Sequence, residues 1–276
     1  RSRGIKVLSG GRLAGSQGWA RFEREVEILA RLRHPNIVAI HESGVLGSSA
    51  YFVMDYIAGQ SLDEWIVRRE EPGAASKRAA PERPAGPDAK PTVRDTLRLF
   101  VKICEAVSAA HLRGVIHRDL KPGNIRIDVS GEPQVLDFGL AKLVTEDAGD
   151  ATSPAALTVT GQFVGSLPWA SPEQAEGSQD KVDVRTDVYS LGVILYQMLA
   201  GQFPYPVTGR MRDVVHNITN VEPVRPRTLC RAIDDEVETI VLRCLQKDPA
   251  RRYQSAGELA RDVARYLTGE PIEAKR

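Results

Sequence analysis

The chain has 276 residues, 42% of them hydrophobic and 26% charged, and a net charge of +1. That length supports one large core or two unequal ones, and the near-neutral balance gives no reason to expect nucleic acid or an anionic membrane as partner. No run of about eighteen apolar residues occurs, so no spanning helix is expected, and Arg1-Ser2-Arg3-Gly4 leads into no apolar signal core. In chain order, Ile5-Lys6-Val7-Leu8 reads as a short strand, and Phe22, Val26 and Leu29 recur at helical spacing within an amphipathic helix predicted over 19–32. His34-Pro35-Asn36 breaks that helix. Residues 37–41 and 51–56 follow as an antiparallel strand pair, and Gly59-Gln60-Ser61-Leu62 leads into a short helix through Trp65. Residues 68–91 carry Pro72, Pro81, Pro84, Pro87 and Pro91 among Ala, Gly and mixed charges, and read as a disordered insertion.

Thr92 with Asp95 marks a helix start and Gly114 its stop, with Leu97, Val101, Cys104 and Val107 on the buried stripe. Residues 186–200 are apolar nearly all round, which argues for a helix inside the larger core, ended by Gly201. Two more helices are expected near 235–246 and 256–267. Cys104, Cys230 and Cys244 lack metal-ligand spacing, and reduced thiols are expected of them. Strands with one helix, then mostly helices, predict an α+β fold. A small sheet-containing lobe over 1–57 would sit on a larger helical lobe over 58–276.

The most informative stretch is His117-Arg118-Asp119-Leu120-Lys121-Pro122-Gly123-Asn124 with Asp137-Phe138-Gly139 beyond it. Ile125 and Ile127 alternate as a strand, Val129-Ser130-Gly131-Glu132 supplies turn chemistry and Val135-Leu136 returns. Such a hairpin is expected to set Asn124 opposite Asp137, with Asp119 on the loop before. Two oxygen donors beside a free carboxylate suit Mg-nucleotide chemistry, because Mg²⁺ favours few carboxylates plus phosphate oxygens.

His-Arg-Asp-x-x-x-x-Asn followed by Asp-Phe-Gly resembles the catalytic and metal-binding loops of eukaryotic-type protein kinases, of the bacterial Ser/Thr-specific kind. The resemblance covers nearly the whole chain and implies a bilobal kinase-like fold, ATP and Mg²⁺, and proteins bearing Ser or Thr as substrates. It implies Asp119 as the acceptor of the substrate hydroxyl proton and Lys121 as the neutraliser of the transferred phosphoryl group. Asn124 and Asp137 would be the magnesium ligands, and Lys6 would contact the nucleotide phosphates. Glu25 is the expected partner of Lys6: it shares the helix face of Phe22 and Leu29, whereas Glu23 and Glu27 project away. Met54 would border the adenine pocket and the backbone of Asp55 and Ile57 its edge. Arg118, with Thr158 and Thr160 in the loop from Asp137 to Glu173, implies control by loop phosphorylation. Glu173, in Ser171-Pro172-Glu173, is expected to pair with Arg252, and Asp187 to hold the catalytic-loop backbone. His117 is expected as a packed scaffold residue, and His34, His41, His111 and His216 receive no site. The resemblance also implies a cytoplasmic location, as a free domain or the inner part of a membrane-anchored receptor, and allows dimerisation on activation.

Three departures shape the expectations. Only five residues precede Lys6, so the first two strands and a Gly-x-Gly-x-x-Gly loop are missing from the small lobe, and Gly10-Gly11 and Gly15 come after the lysine. Activity is therefore expected of a longer parent chain, and this stretch alone is expected to phosphorylate little. Arg3-Gly4-Ile5-Lys6 replaces Val-Ala-Ile-Lys. Arg126 stands where an apolar side chain would floor the adenine site, its stem expected to pack there with the charge turned outward. A pseudokinase or signalling scaffold is the alternative reading, and a small-molecule phosphotransferase ranks behind it.

Overall fold

The computed structural model describes residues 2–8, 26–27, 29–46, 49–70, 91–138 and 165–275. Strands β1 (Arg3–Leu8), β2 (Ile40–Leu46) and β3 (Ser49–Asp55) form an antiparallel sheet in the order β1-β3-β2. The register sets Gly4 opposite Met54 and Lys6 opposite Phe52, so these four share one face, while Ile5 and Val7 share the other with Val53 and Tyr51. Phe52 is 1% exposed and Ile5 68% exposed, which identifies the inner face as the one carrying Lys6. The expected strand at 5–8 starts earlier, at Arg3; of the pair expected from 37–41 and 51–56, the first runs later, at 40–46, and the second starts two residues earlier, at Ser49, with a bulge at His41 shifting their register. Of the helix expected over 19–32, residues 26–27 and 29–31 are helical, with Val26 and Leu29 buried and Glu27 exposed against Arg31 at 2.5 Å.

Strand β4 (Gly59–Ser61) pairs with β5 (Ile125–Asp128), which pairs with β6 (Pro133–Val135). Residues 34–38 clip the first sheet to this second one. Asn36 donates from Nδ2 to the Pro133 carbonyl at 2.8 Å and accepts from Val135 N–H at 2.9 Å, and Val38 N–H donates to the Val135 carbonyl at 3.1 Å. The sequence break at His34-Pro35-Asn36 is thus a structural joint, with the His34 ring accepting from Asn36 N–H at 3.1 Å.

The larger lobe is helical. Helix α1 (Leu62–Glu70) runs past Trp65, so residues 68–70 belong to a helix and not to the insertion expected there; residues 71–90 lie outside the described residues. Its first-turn acids, Asp63 and Glu64, complement the helix dipole. Helix α2 (Val93–His111) opens on a capping box in which Thr92 Oγ1 accepts from Asp95 N–H and Asp95 accepts from Thr92 N–H, both at 3.1 Å. Leu97, Cys104 and Val107 are fully buried along it and Val101 half-buried. Short α3 (Pro172–Ala175) precedes α4 (Val184–Ala200), of which residues 186–199 are all buried. Around it stand α5 (Met211–Asn220), α6 (Pro226–Leu229), α7 (Asp235–Cys244) and α8 (Ala256–Thr268). The polar groups α4 takes inside are bonded: Ser190 Oγ donates to the Trp169 carbonyl at 2.8 Å, and Gln197 Oε1 accepts from Trp169 Nε1 at 2.6 Å. Gly192 allows α4 to cross α7, since a Cβ there would stand 2.5 Å from Cys244 Cβ.

Among the described residues, the Arg252–Glu173 ion pair lies in the interior. Arg252, 1% exposed, grips Glu173 through Nη1–Oε1 at 2.9 Å and Nη2–Oε2 at 2.8 Å. Its other three N–H groups reach the carbonyls of Gln246, Lys247 and Arg185, and Thr186 Oγ1 donates to Glu173 at 2.8 Å. Burial alone would raise the Glu173 pKa, but the Arg252 hydrogen bonds and charge hold it below the ordinary value.

Three outcomes follow from this packing. Arg252→Ala leaves a buried carboxylate without its cation and is expected to cost about 3–5 kcal/mol in denaturant unfolding. Because the folded pKa of Glu173 is depressed, its contribution is complete above the unfolded value of 4.5 and fades as pH falls through and below it. Glu173→Gln should flatten the acid limb of the stability–pH curve. Gly192→Ala should cost about 1–3 kcal/mol by overpacking, read as a lowered denaturation midpoint.

Candidate active site

The site is assembled on the β5–β6 hairpin and the loop leading into it. Asp128 closes the turn: its Oδ1 accepts from Ser130 N–H, Ser130 Oγ–H and Glu132 N–H, and its own N–H donates to the Glu132 carbonyl at 2.9 Å. Gly131 supplies the left-handed residue, at φ 87°. Pairing 128 with 132 fixes the register, so Asn124 faces Leu136, whose N–H donates to its carbonyl at 2.9 Å. Asp137 therefore sits one step past the position expected opposite Asn124.

Asp187, in the first turn of α4, is fully buried and holds the preceding loop. It accepts from His117 N–H at 2.7 Å and Arg118 N–H at 2.9 Å, and its Oδ2 lies 2.8 Å from His111 Nε2. Burial pushes its pKa up, but the His111 bond and the neighbouring histidines bring it below the ordinary value. Arg118 adopts φ 61°, a left-handed conformation rare outside glycine, and its carbonyl accepts from Gln174 Nε2 at 2.8 Å. His117 is buried, donates from Nε2 to the Leu136 carbonyl at 2.8 Å and packs on Phe138 at 4.8 Å between ring centroids. It supports the loop.

From this frame Asp119, Lys121 and Asn124 converge. Lys121 Nζ lies 3.0 Å from Asp119 Oδ2 and donates to Ser166 Oγ at 2.6 Å. Asn124 Nδ2 donates to the Asp119 carbonyl at 2.8 Å and to its Oδ2 at 3.2 Å. Asp137, also left-handed at φ 58°, turns its carboxylate toward β1, where Lys6 Nζ pairs with Oδ2. Its Oδ1 is buried and has no hydrogen-bond partner among the described residues, an open acceptor of the kind a cation satisfies. Met54 lines a small apolar cavity with Leu29, Phe52, Val135 and Phe138, with Asp137 in its wall. Glu25, Thr158 and Thr160 lie outside the described residues, so among those described the partner of Lys6 is Asp137.

The linker from β3 to β4 departs from expectation. Asp55 turns its side chain to His41, Oδ1 to Nε2 at 2.7 Å. Arg126 does not turn its charge outward: Nε donates to the Ile57 carbonyl at 3.1 Å and Nη2 to the Gly59 carbonyl at 2.5 Å. Gly59, at φ 143°, is needed there, since a Cβ would stand 2.0 Å from the Ile127 carbonyl oxygen. Sequence reading missed His111, Gln174 and Ser166. Gln174 alone carried a signal, as the fourth residue of a Ser-x-x-Gln capping box.

The Asp187 brace generates a direct test. Asp187→Ala leaves the His117 and Arg118 amides buried and unpaired, at roughly 1–3 kcal/mol each. Hydrogen exchange at those two amides is expected to accelerate well beyond that of α2.

Comparison with known proteins agrees with this geometry. The family model described as "Protein kinase domain" matches residues 5–263. Serine/threonine-protein kinase PknB of Mycobacterium tuberculosis is 34% identical over 99% of this chain and 40% of its own length. A probable serine/threonine-protein kinase of Streptomyces coelicolor is 35% identical over 92% of this chain and 34% of its own. The chain thus spans well under half the length of these relatives. The crystal structure of the Mycobacterium tuberculosis PknI kinase domain superposes with a TM-score of 0.65 at 23% identity, over 96% of this chain and 85% of that one, a likeness of fold. On the sequence match and the bilobal architecture together, the chain belongs to the protein kinase domain family.

Proposed function

We propose that this chain is the catalytic domain of a serine/threonine protein kinase, which moves the γ-phosphoryl group of ATP to a Ser or Thr hydroxyl of a protein. The observation that carries the reading is the convergence of Asp119, Lys121 and Asn124 within hydrogen-bonding reach, next to the Asp137–Lys6 pair. In this reading Asp119, oriented by Lys121 and the Asn124 amide, aligns the substrate hydroxyl and takes its proton. Lys121 shifts between Asp119 and the phosphoryl group in flight, and Lys6 balances the remaining phosphates. The names of the relatives support Ser/Thr specificity, as does Lys121 two residues past Asp119.

Asp137 and Asn124 fit a divalent cation. Asp137 Oδ1 is a buried carboxylate oxygen lacking a donor, and Asn124 commits its amide nitrogen to Asp119, which leaves its oxygen for a metal. Mg²⁺ held there would neutralise charge on the leaving diphosphate. Arg118, Thr158 and Thr160 complete the reading as the parts of a phosphorylation switch. Among the described residues no helix is long and apolar enough to cross a membrane, and the described cysteines are free, in keeping with a reducing cytoplasmic setting. A catalytic role is preferred to a scaffold's because Lys6, Asp119, Lys121, Asn124 and Asp137 are all present and mutually in reach, and the relatives are named as kinases.

The test compares the full-length protein with its Asp119→Asn variant, using Mg·ATP and a panel of protein substrates. Phosphotransfer should fall by about 10²–10⁴-fold while nucleotide binding persists. Equal phosphorylation by both proteins would sink the assignment, and tight nucleotide binding with no transfer by the native protein would favour the scaffold.

A further inference from the structure

Arg126 is the polar residue of the site that the kinase reading leaves without a task. On β5 its neighbours Ile125 and Ile127 point into the core, 0% and 5% exposed, so Arg126 lies on the opposite face, half-buried, beside Ser61 of β4 and Gln134 of β6. Its side chain runs back along the linker and binds two carbonyls at once, Ile57 through Nε at 3.1 Å and Gly59 through Nη2 at 2.5 Å. A planar guanidinium suits that two-point contact, since its Nε and Nη2 donors are set in a fixed fork that a lysine's rotating ammonium lacks.

The linker's remaining polar groups are easily followed. Asp55 N–H donates to the Ala39 carbonyl and Tyr56 N–H to the Ser2 carbonyl, each at 3.2 Å. Ile57 N–H makes no hydrogen bond among the described residues, so the linker offers a base a donor at Ile57, while the carbonyl of that same residue is already engaged by a cation.

We infer that Arg126 determines which purine the cleft accepts, an inference that rests on the nucleotide-binding reading above. Adenine presents a ring nitrogen acceptor beside its exocyclic amine and can use the Ile57 N–H. Guanine presents two adjacent N–H donors beside its carbonyl. Setting that carbonyl on the Ile57 N–H sends a guanine N–H toward the Ile57 carbonyl, where it meets the Arg126 guanidinium, donor against donor. Selectivity then comes from an acceptor withheld from the competitor more than from an added attraction to adenine.

Calorimetry on the full-length protein, with the magnesium complexes of non-hydrolysable ATP and GTP analogues, tests this. Wild type should prefer the adenine nucleotide. Arg126→Met should narrow the ATP:GTP affinity ratio by about tenfold or more, chiefly through tighter GTP binding. Arg126→Lys should fall between the two. A purely structural role would weaken both nucleotides alike, and an unchanged ratio in Arg126→Met overturns the inference. Where circular dichroism shows that the methionine variant does not fold, the ratio in Arg126→Lys decides in the same way. Equal affinity of the wild type for both nucleotides overturns the role of Arg126 while leaving the kinase reading intact. Binding of neither nucleotide overturns the kinase reading itself.

Discussion

The Asp187 carboxylate, fully enclosed in the first turn of α4, is the interaction on which the geometry of the site depends. It satisfies two consecutive backbone N–H groups, at His117 and Arg118, that the loop's own turn leaves without partners. Arg118 occupies a left-handed conformation that costs roughly 1–3 kcal/mol and persists only where its surroundings over-determine it. Asp187 from below and Gln174 from the side fasten the N–H and the carbonyl of that one residue. Asp119 follows directly, so the direction of its carboxylate is inherited from a strained residue clamped at both ends. The buried central helix of the larger core thereby sets the position of a partly exposed carboxylate.

The second interior charge has a different office. Glu173 and Arg252 are separated by 79 residues in sequence, and every N–H of the guanidinium finds an acceptor. Such a pair adds little net stability over apolar residues of the same volume, but it is costly to break and intolerant of misplacement. It ties the segment carrying Gln174 to the end of the larger lobe. These two buried acids thus converge on α3 and the start of α4, one holding the loop and the other holding the segment of the residue that braces it.

The extent to which this was legible in the sequence follows from the range of each interaction. Local signals translated directly: Thr92 and Asp95 made the capping box, Gly201 ended α4, and the all-round apolar run over 186–200 became the central helix. Asp119, Asn124 and Asp137 were singled out by their match to a kinase-like motif, and the β5–β6 hairpin with the loop before it brings them into one region. The hairpin register was misjudged by one residue, since the Asp128 turn is decided by side-chain hydrogen bonds that a pattern of apolar residues does not encode. Arg126 was recognised as out of place, but its direction depends on where the linker carbonyls lie, a tertiary fact. His111 looked idle because nothing in its own neighbourhood announces a partner 76 residues away.

The two sheets meet at separated places along the chain. One is the covalent linker, fastened to β5 by Arg126 and by the close approach that Gly59 permits. The other is the clip at residues 34–38, sewn to β6 by hydrogen bonds through Asn36 and Val38. Mechanically, a body attached at two points can still turn about the line that joins them, while sliding and twisting across that line are resisted. Among the described residues these two attachments define an axis for the first sheet, the one that carries Lys6. Lys6 lies on that sheet and Asp137 stands two residues beyond the Val135 anchor, so their ion pair is a tie off the axis, and it is what sets the remaining angle.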